Sequence, residues 1–179
     1  MLFGASTVLG GGTMAALSGT TENAANSFSA GTVVLTDNDA GTALLSLANA
    51  RPGAPATNCL QVSYTGSLTA GVRLYGTYAG ALAPYVKITI TRGTDAAPSF
   101  GSCATFTADT ADHTGLGPGI LFSGSLSTFP TTFATALVDP TASWATDTRI
   151  SYRFSAEILD TNAAQGLTST AGFTWEARS

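Results

Sequence analysis

Alternation of apolar and polar side chains is the main pattern along this chain. It is clearest between Arg149 and Ile158, where every second side chain is apolar or small and those between are polar or charged. A period of two residues is typical of a β-strand that buries one face and exposes the other. The same pattern predicts strands at 85–92, 173–177, 60–64 and 72–78, with weaker candidates at 29–36, 41–47, 100–108 and 120–126.

Turn-forming residues separate these segments. Proline or glycine punctuates the chain at regular intervals, for example at Pro52-Gly53, Ala83-Pro84, Gly117-Pro118 and Asp139-Pro140. Eight or nine short strands at this spacing predict an all-β fold, specifically an antiparallel β-sandwich of jelly-roll type.

One stretch, residues 128–137, has apolar residues at helical spacing: Phe129, Phe133 and Leu137. This spacing favours a short helix, and an irregular connection between strands is the alternative. We therefore expect at most one short helix in the chain.

The N-terminal residues differ from the rest. Residues 1–17 carry no charge and are rich in Gly, Ala, Ser and Thr. The segment is too short and too rich in glycine for a membrane-spanning helix, so we expect no stable span in the mature form. It is typical of the end of a signal peptide without the basic region. Two interpretations stay open: a signal remnant removed on export, or a segment retained in the working protein. The predicted organisation is an apolar segment with a polar leader at 1–27 and a β-sandwich domain at 28–179.

Composition narrows the function classes. Charged residues make up 10% of the chain, against roughly 25% in typical soluble domains, and the net charge is -4. Lys87 is the only lysine, so no basic patch is available to bind nucleic acid. Hydrophobic residues make up 44%, which argues against disorder. A neutral surface rich in Gly, Ser and Thr favours a secreted, extracellular or cell-surface protein.

Two cysteines, Cys59 and Cys103, occur without metal-ligand spacing. In an exported domain they predict one disulfide, and two separate buried thiols are the alternative. Both cysteines lie out of phase with the neighbouring apolar residues. We therefore expect a bridge at the rim of the sandwich, joining the loops after Pro55 and Gly101, rather than one through the core.

No constellation of catalytic, cofactor-binding or metal-ligating residues is evident, so the chain is predicted not to be an enzyme and to need no cofactor. His113 is the only histidine and lies in a polar loop, which excludes His-rich metal motifs and favours a solvated turn residue. Asp37-Asn38-Asp39 begins like a calcium loop but lacks the later Gly and Glu, which favours an Asx turn. Trp144 and Trp175 are interpreted as packing residues, with a sugar-binding face as the alternative.

Several motifs resemble the TasA/camelysin family. Residues 11–18 are similar to the end of that family's export signals, and Phe28–Leu35 matches its strand pattern F-x-A-G-T, an apolar residue, x-L. Asn49–Gly53 matches its N-x-K-P-G with Arg for Lys, and the resemblance continues loosely to Phe173-Thr174-Trp175. The cysteine pair and the lysine-poor middle depart from the pattern. The resemblance implies a jelly-roll domain and an extracellular fibre subunit of biofilm matrix. Camelysin is classed as a metallopeptidase, and because the metal ligands are missing here we do not expect that activity.

The N-terminal segment also has the properties of a donated strand. A sandwich with an open edge can accept an extended, uncharged segment from a neighbour, and head-to-tail donation yields a filament. The predicted function is therefore an extracellular structural protein, a subunit of a fibre or pilus-like filament, whose partners are copies of itself. The alternative is a secreted, monomeric binding module for a glycan or a surface. The predicted donor side chains are Leu2, Phe3, Val8, Leu9, Met14 and Leu17.

Overall fold

The computed structural model describes residues 31–45 and 52–179. Within them the chain forms two antiparallel β-sheets and three short 3-10 turns, with no α-helix. The turns are η1 (Ala83–Tyr85), η2 (Leu126–Thr128) and η3 (Asn162–Ala164). The strands are β1 (Leu35–Asp37), β2 (Ala56–Tyr64), β3 (Gly71–Ala79), β4 (Val86–Asp95), β5 (Phe106–Ala108), β6 (Ile120–Ser125), β7 (Leu137–Val138), β8 (Arg149–Ile158) and β9 (Thr170–Arg178).

The larger sheet has the order β1-β2-β8-β4-β5, and β6 also pairs with β4. The smaller sheet has the order β7-β3-β9. Strand β9 pairs with β3 along its whole length, from Gly71 opposite Arg178 to Ala79 opposite Thr170. The predicted all-β antiparallel fold is therefore confirmed. The jelly-roll subtype stays a prediction, because the smaller sheet has three strands in the described part of the chain.

The core lies between the two sheets and follows the predicted alternation. On β8 the side chains of Tyr152 and Phe154 are buried, and on β4 those of Ile88 and Ile90 are buried. Phe154 packs against Phe173 of β9 with ring centroids 4.7 Å apart, so the aromatic residues join the sheets. Burial of each such side chain contributes about 1.5–3 kcal/mol to stability.

The helix considered for residues 128–137 does not form. Only η2 is helical in this region, and Phe129 is extended, with φ −66° and ψ 138°. Proline at position 130 forces this, because its ring clashes with a helical conformation of the preceding residue. Phe129 is instead buried, and its ring packs against those of Phe122 and Phe173. The irregular connection is the correct alternative.

The weaker strand predictions succeed only in part. The strand predicted at 120–126 is β6, and the one at 100–108 is reduced to β5. Of the strand predicted at 29–36, residues 31–34 form no strand, β1 begins at Leu35, and 29–30 lie outside the described residues. Residues 41–45 form no strand, and 46–47 lie outside the described residues. The stretch begins in a turn, in which Ala40 and Gly41 have φ of 51° and 78°, and this turn ends the extended chain of β1.

Cys59 and Cys103 form the predicted disulfide, with Cα atoms 5.1 Å apart. Cys59 lies within β2 on the face opposite to the core-facing Leu60, so the bridge does not pass through the core between the sheets, but Cys59 is only 1% exposed. Cys103 lies in the connection between β4 and β5, whose Gly101 N–H donates to the Cys59 carbonyl at 2.9 Å. The predicted rim position therefore needs correction, because the first cysteine is buried inside a strand rather than in the loop after Pro55.

Candidate functional site: an open groove between the sheets

Strand β1 ends the larger sheet and β9 ends the smaller one, and in the described residues these two strands lie near each other without pairing. Between the two sheets lies a cavity of about 440 Å³, here called the open groove. A second cavity of about 200 Å³ continues the gap between β1 and β9. Inward-facing side chains of both sheets form the walls of the open groove, among them Leu60, Val86, Ile88, Ala156, Phe173 and Trp175.

The groove is open because β1 is only three residues long. The Asp37-Asn38-Asp39 sequence forms the Asx turn expected from the sequence: Asp37 Oδ1 accepts from Asp39 N at 3.3 Å, and Asp39 Oδ1 accepts from Gly41 N at 2.7 Å. The chain then leaves the sheet, and the Asn58 side-chain amide of β2 donates to the Leu44 carbonyl. Leu44 and Leu45 therefore line the groove without forming a strand.

The outer edge of β9 presents unpaired backbone groups to the groove. In β3, Gly76 N donates to Pro130 O at 2.9 Å, and Val72 O accepts from Asp139 N at 3.0 Å. The backbone N–H and C=O groups of the even-numbered β3 residues therefore point away from β9. Backbone groups alternate in direction along an antiparallel strand. Odd-numbered β3 residues such as Arg73 therefore bond to β9.

The same alternation fixes which groups of β9 are free. Its even-numbered residues bond to β3, and the odd-numbered ones direct their N–H and C=O toward the open edge: Ala171, Phe173, Trp175 and Ala177. Among the described residues β9 pairs only with β3. An edge of this kind is a template for an additional strand.

Two carboxylates lie at the mouth of the groove. Burial raises the pKa of the Asp37 carboxyl, and its hydrogen bond and charge interaction with Asp39 raise it further. The walls formed by the core-facing strands are apolar, and Thr42, Thr168 and Ser169 add polar groups to the lining beside the acidic rim.

A buried polar cluster joins the sheets at Asp139. Its Oδ2 accepts from Arg92 Nε at 2.9 Å and from Tyr152 OH at 2.7 Å, and its Oδ1 accepts from Trp144 Nε1 at 3.1 Å. Arg92 also forms an ion pair with Asp109. Burial, followed by the charge of Asp139, raises the pKa of Tyr152. These side chains satisfy one another, which is typical of a structural clamp.

Sequence reasoning missed this cluster, although one signal was present. Arg92 follows Ile88 and Ile90 at every second position of β4, so its side chain points into the core. A buried charge requires a partner of opposite charge. Asp139 was interpreted only as part of a turn-forming Asp-Pro pair.

The remaining predicted residues are placed as follows. His113 lies in a loop with its Nε2 3.5 Å from Asp109 Oδ2. In residues 31–45 and 52–179 no three His, Cys, Asp or Glu side chains come together to hold a metal ion. Trp144 is fully buried, so for it the packing interpretation is confirmed. The predicted donor residues lie outside the described residues: Leu2, Phe3, Val8, Leu9, Met14 and Leu17.

Comparison with protein-family models finds no matching family, and comparison with curated proteins finds no match. Within the part of the chain that the structure describes, no helix has the length and apolar character needed to cross a membrane.

Proposed function

We propose that the protein is an extracellular structural subunit that polymerises into a fibre or pilus-like filament, in biofilm matrix or on a cell surface. In this proposal the N-terminal segment of one copy enters the open groove of the next. The observation that carries the proposal is the coincidence of a cavity of about 440 Å³, walled by core-facing apolar side chains, with an edge of β9 that pairs with no described strand.

The donated segment adds to β9 as a fourth strand of the smaller sheet. Its backbone bonds to the free groups of residues such as Phe173 and Trp175, and alternate side chains enter the groove. Each leucine-sized side chain that leaves water there contributes about 1.5–3 kcal/mol. Backbone pairing supplies affinity, and side-chain size sets the register.

Residues 1–17 suit this role because they carry no charge. A charged side chain in the groove would lose its hydration without gaining a partner. The polar residues 18–27 then link the donated strand to its own domain. Because donor and acceptor are different surfaces of the same chain, each added copy offers a new groove, and the assembly grows as an open filament.

The direct test is removal of residues 1–17. The full chain is expected to form filaments in negative-stain electron microscopy, and the truncated chain is expected to remain monomeric. Adding a synthetic peptide of residues 1–17 to the truncated chain should raise its melting temperature, because a ligand that binds only the folded state stabilises it. Filaments of normal appearance without residues 1–17 would contradict the proposal.

A matched pair of point variants tests the acceptor side. Ala171 lines the groove on β9, whereas Thr77 lies on the opposite face of the neighbouring strand β3. Ala171→Lys should abolish filaments, since an inward-pointing lysine protects a sheet edge from pairing. Thr77→Lys adds the same charge and should leave filaments intact. A monomeric wild-type protein with saturable ligand binding would favour the secreted binding module instead.

A further inference from the structure

The outer face of the larger sheet carries a polar depression on the side of the sheet opposite the open groove. Its volume is about 370 Å³, and it lies over strands β2, β8 and β4. Side chains alternate between the two faces, so Ser155 and Thr89 point into the depression while Ala156 and Ile88 point into the core.

Hydroxyl groups form the floor of this depression. Thr57, Ser155 and Thr89 occupy one register across three adjacent strands. Thr57 Oγ1 donates to Ser155 Oγ at 3.2 Å, and Thr89 Oγ1 lies 3.2 Å from Ser123 Oγ on β6. Each hydroxyl keeps acceptor capacity after these contacts, and such groups can bond to the hydroxyls of a ligand in either direction.

Three charged side chains border the floor, and one of them has no polar partner among the described residues. Lys87 Nζ lies 3.5 Å from Glu157 Oε1, so these two charges offset each other. The Arg153 guanidinium stacks on the Phe106 ring at 5.1 Å from its centroid. It forms no hydrogen bond and no ion pair with any described residue. The stacking holds a half-buried cation in place with its donors available.

We infer that this depression binds a carboxylated saccharide, such as the uronic acid unit of an acidic polysaccharide. The planar guanidinium of Arg153 matches a carboxylate with two parallel hydrogen bonds. The hydroxyl floor matches the ring hydroxyls of the sugar. The depression is shallow and open, which suits one unit of an extended chain rather than an enclosed small molecule. A neutral sugar would leave Arg153 unpaired, and a peptide carboxylate would leave the hydroxyl floor unused.

The site is separate from the proposed assembly groove, so the two proposals fail independently. Binding is measured by calorimetry with an oligogalacturonate of defined length, against a neutral oligogalactose and an oligoglutamate of similar length. The wild-type protein is expected to bind the oligogalacturonate best. No binding of the oligogalacturonate, or equal binding of the neutral sugar, would overturn the inference. Equal binding of the oligoglutamate would show recognition of a carboxylate alone and would also overturn it.

Arg149 supplies the matched control, because it lies on the same strand and the same face and forms a pair with Asp147 at 4.0 Å. Arg153→Gln should weaken oligogalacturonate binding about tenfold or more, whereas Arg149→Gln should change it less than about twofold. Ser155→Ala should weaken binding less than Arg153→Gln does. The melting temperature of each variant checks that it is folded. An unchanged affinity of Arg153→Gln would overturn the assignment.

Discussion

Asp37 is the residue whose ionisation is most directly linked to the groove. It is exposed at the groove mouth, yet partial burial and the neighbouring Asp39 raise the pKa of its carboxyl above the ordinary value of 3.8. The folded state therefore holds the Asp37 proton more tightly than the unfolded state does. The resulting stabilisation is present at low pH and is lost as the pH rises through the folded-state pKa.

Asp37→Asn should therefore increase the free energy of unfolding at pH 7. The gain is at most about 0.5 kcal/mol, because solvent screens an exposed group. The side-chain oxygen that accepts from Asp39 N is retained in this variant. The difference from wild type should vanish well below pH 3.8, where the carboxyl is protonated in both states. Urea unfolding at several pH values measures it, and Asp147→Asn on the surface is the control. A decrease in stability at pH 7 would contradict the stated direction.

At the scale of elements, the strand that was predicted most accurately, β8, is paired with a neighbour on both sides. β8 lies between β2 and β4 and was predicted with its observed bounds, because a strand buried on one face along its whole length shows complete alternation. Residues 41–45 have a similar apolar content but follow a turn with positive φ at Ala40, and they line the groove without pairing. Local pattern cannot distinguish these two outcomes, since both bury apolar side chains.

The connection between β4 and β5 is an element that depends on a covalent bond. It has little regular structure, and Cys103 attaches it to β2 across a sequence separation of 44 residues. Replacing both cysteines by serine should lower the free energy of unfolding by about 2–4 kcal/mol, mainly through the greater freedom of the unfolded chain. Hydrogen exchange should also accelerate at residues 96–105. Equal stability of the variant and the wild-type protein in urea unfolding would show that the bridge adds little.

At the scale of the whole molecule, the Asp139 cluster holds the sheets together on the side opposite the groove. Asp139 is 5% exposed and Arg92 is 8% exposed, and they belong to segments on different sheets. Asp139→Ala removes a buried partner of the Arg92 charge and leaves the phenol of Tyr152 without its acceptor. We expect a loss of about 3–5 kcal/mol in the free energy of unfolding.

Chemical denaturation of the full chain measures this loss. Asp160→Ala is the matched control, because Asp160 is exposed and forms no side-chain hydrogen bond or ion pair with a described residue, so its replacement should change stability by less than about 0.5 kcal/mol. A similar small change for both variants would show that the cluster is not the clamp between the sheets.

Of the proposed assembly site, the donor segment could be predicted from the sequence and the acceptor groove could not. The uncharged segment 1–17 was recognisable as a possible donor from its composition alone. The acceptor was not, because its walls come from residues as distant in sequence as Leu60 and Trp175. The same holds for Arg153 and Phe106, whose stacking follows from the pairing of β4 with both β5 and β8.

The sequence by itself determined the fold class and the core-facing phase of the main strands, and it favoured one disulfide over two separate thiols. These follow from local periodicity and residue chemistry, which depend on neighbours along the chain. Only the tertiary structure decided where the sheets remain open, which charges are buried together and which are left without a partner. Those features depend on which strands lie at the edges of each sheet. Hydrophobic alternation does not reveal this, because it is the same in a central strand and in an edge strand.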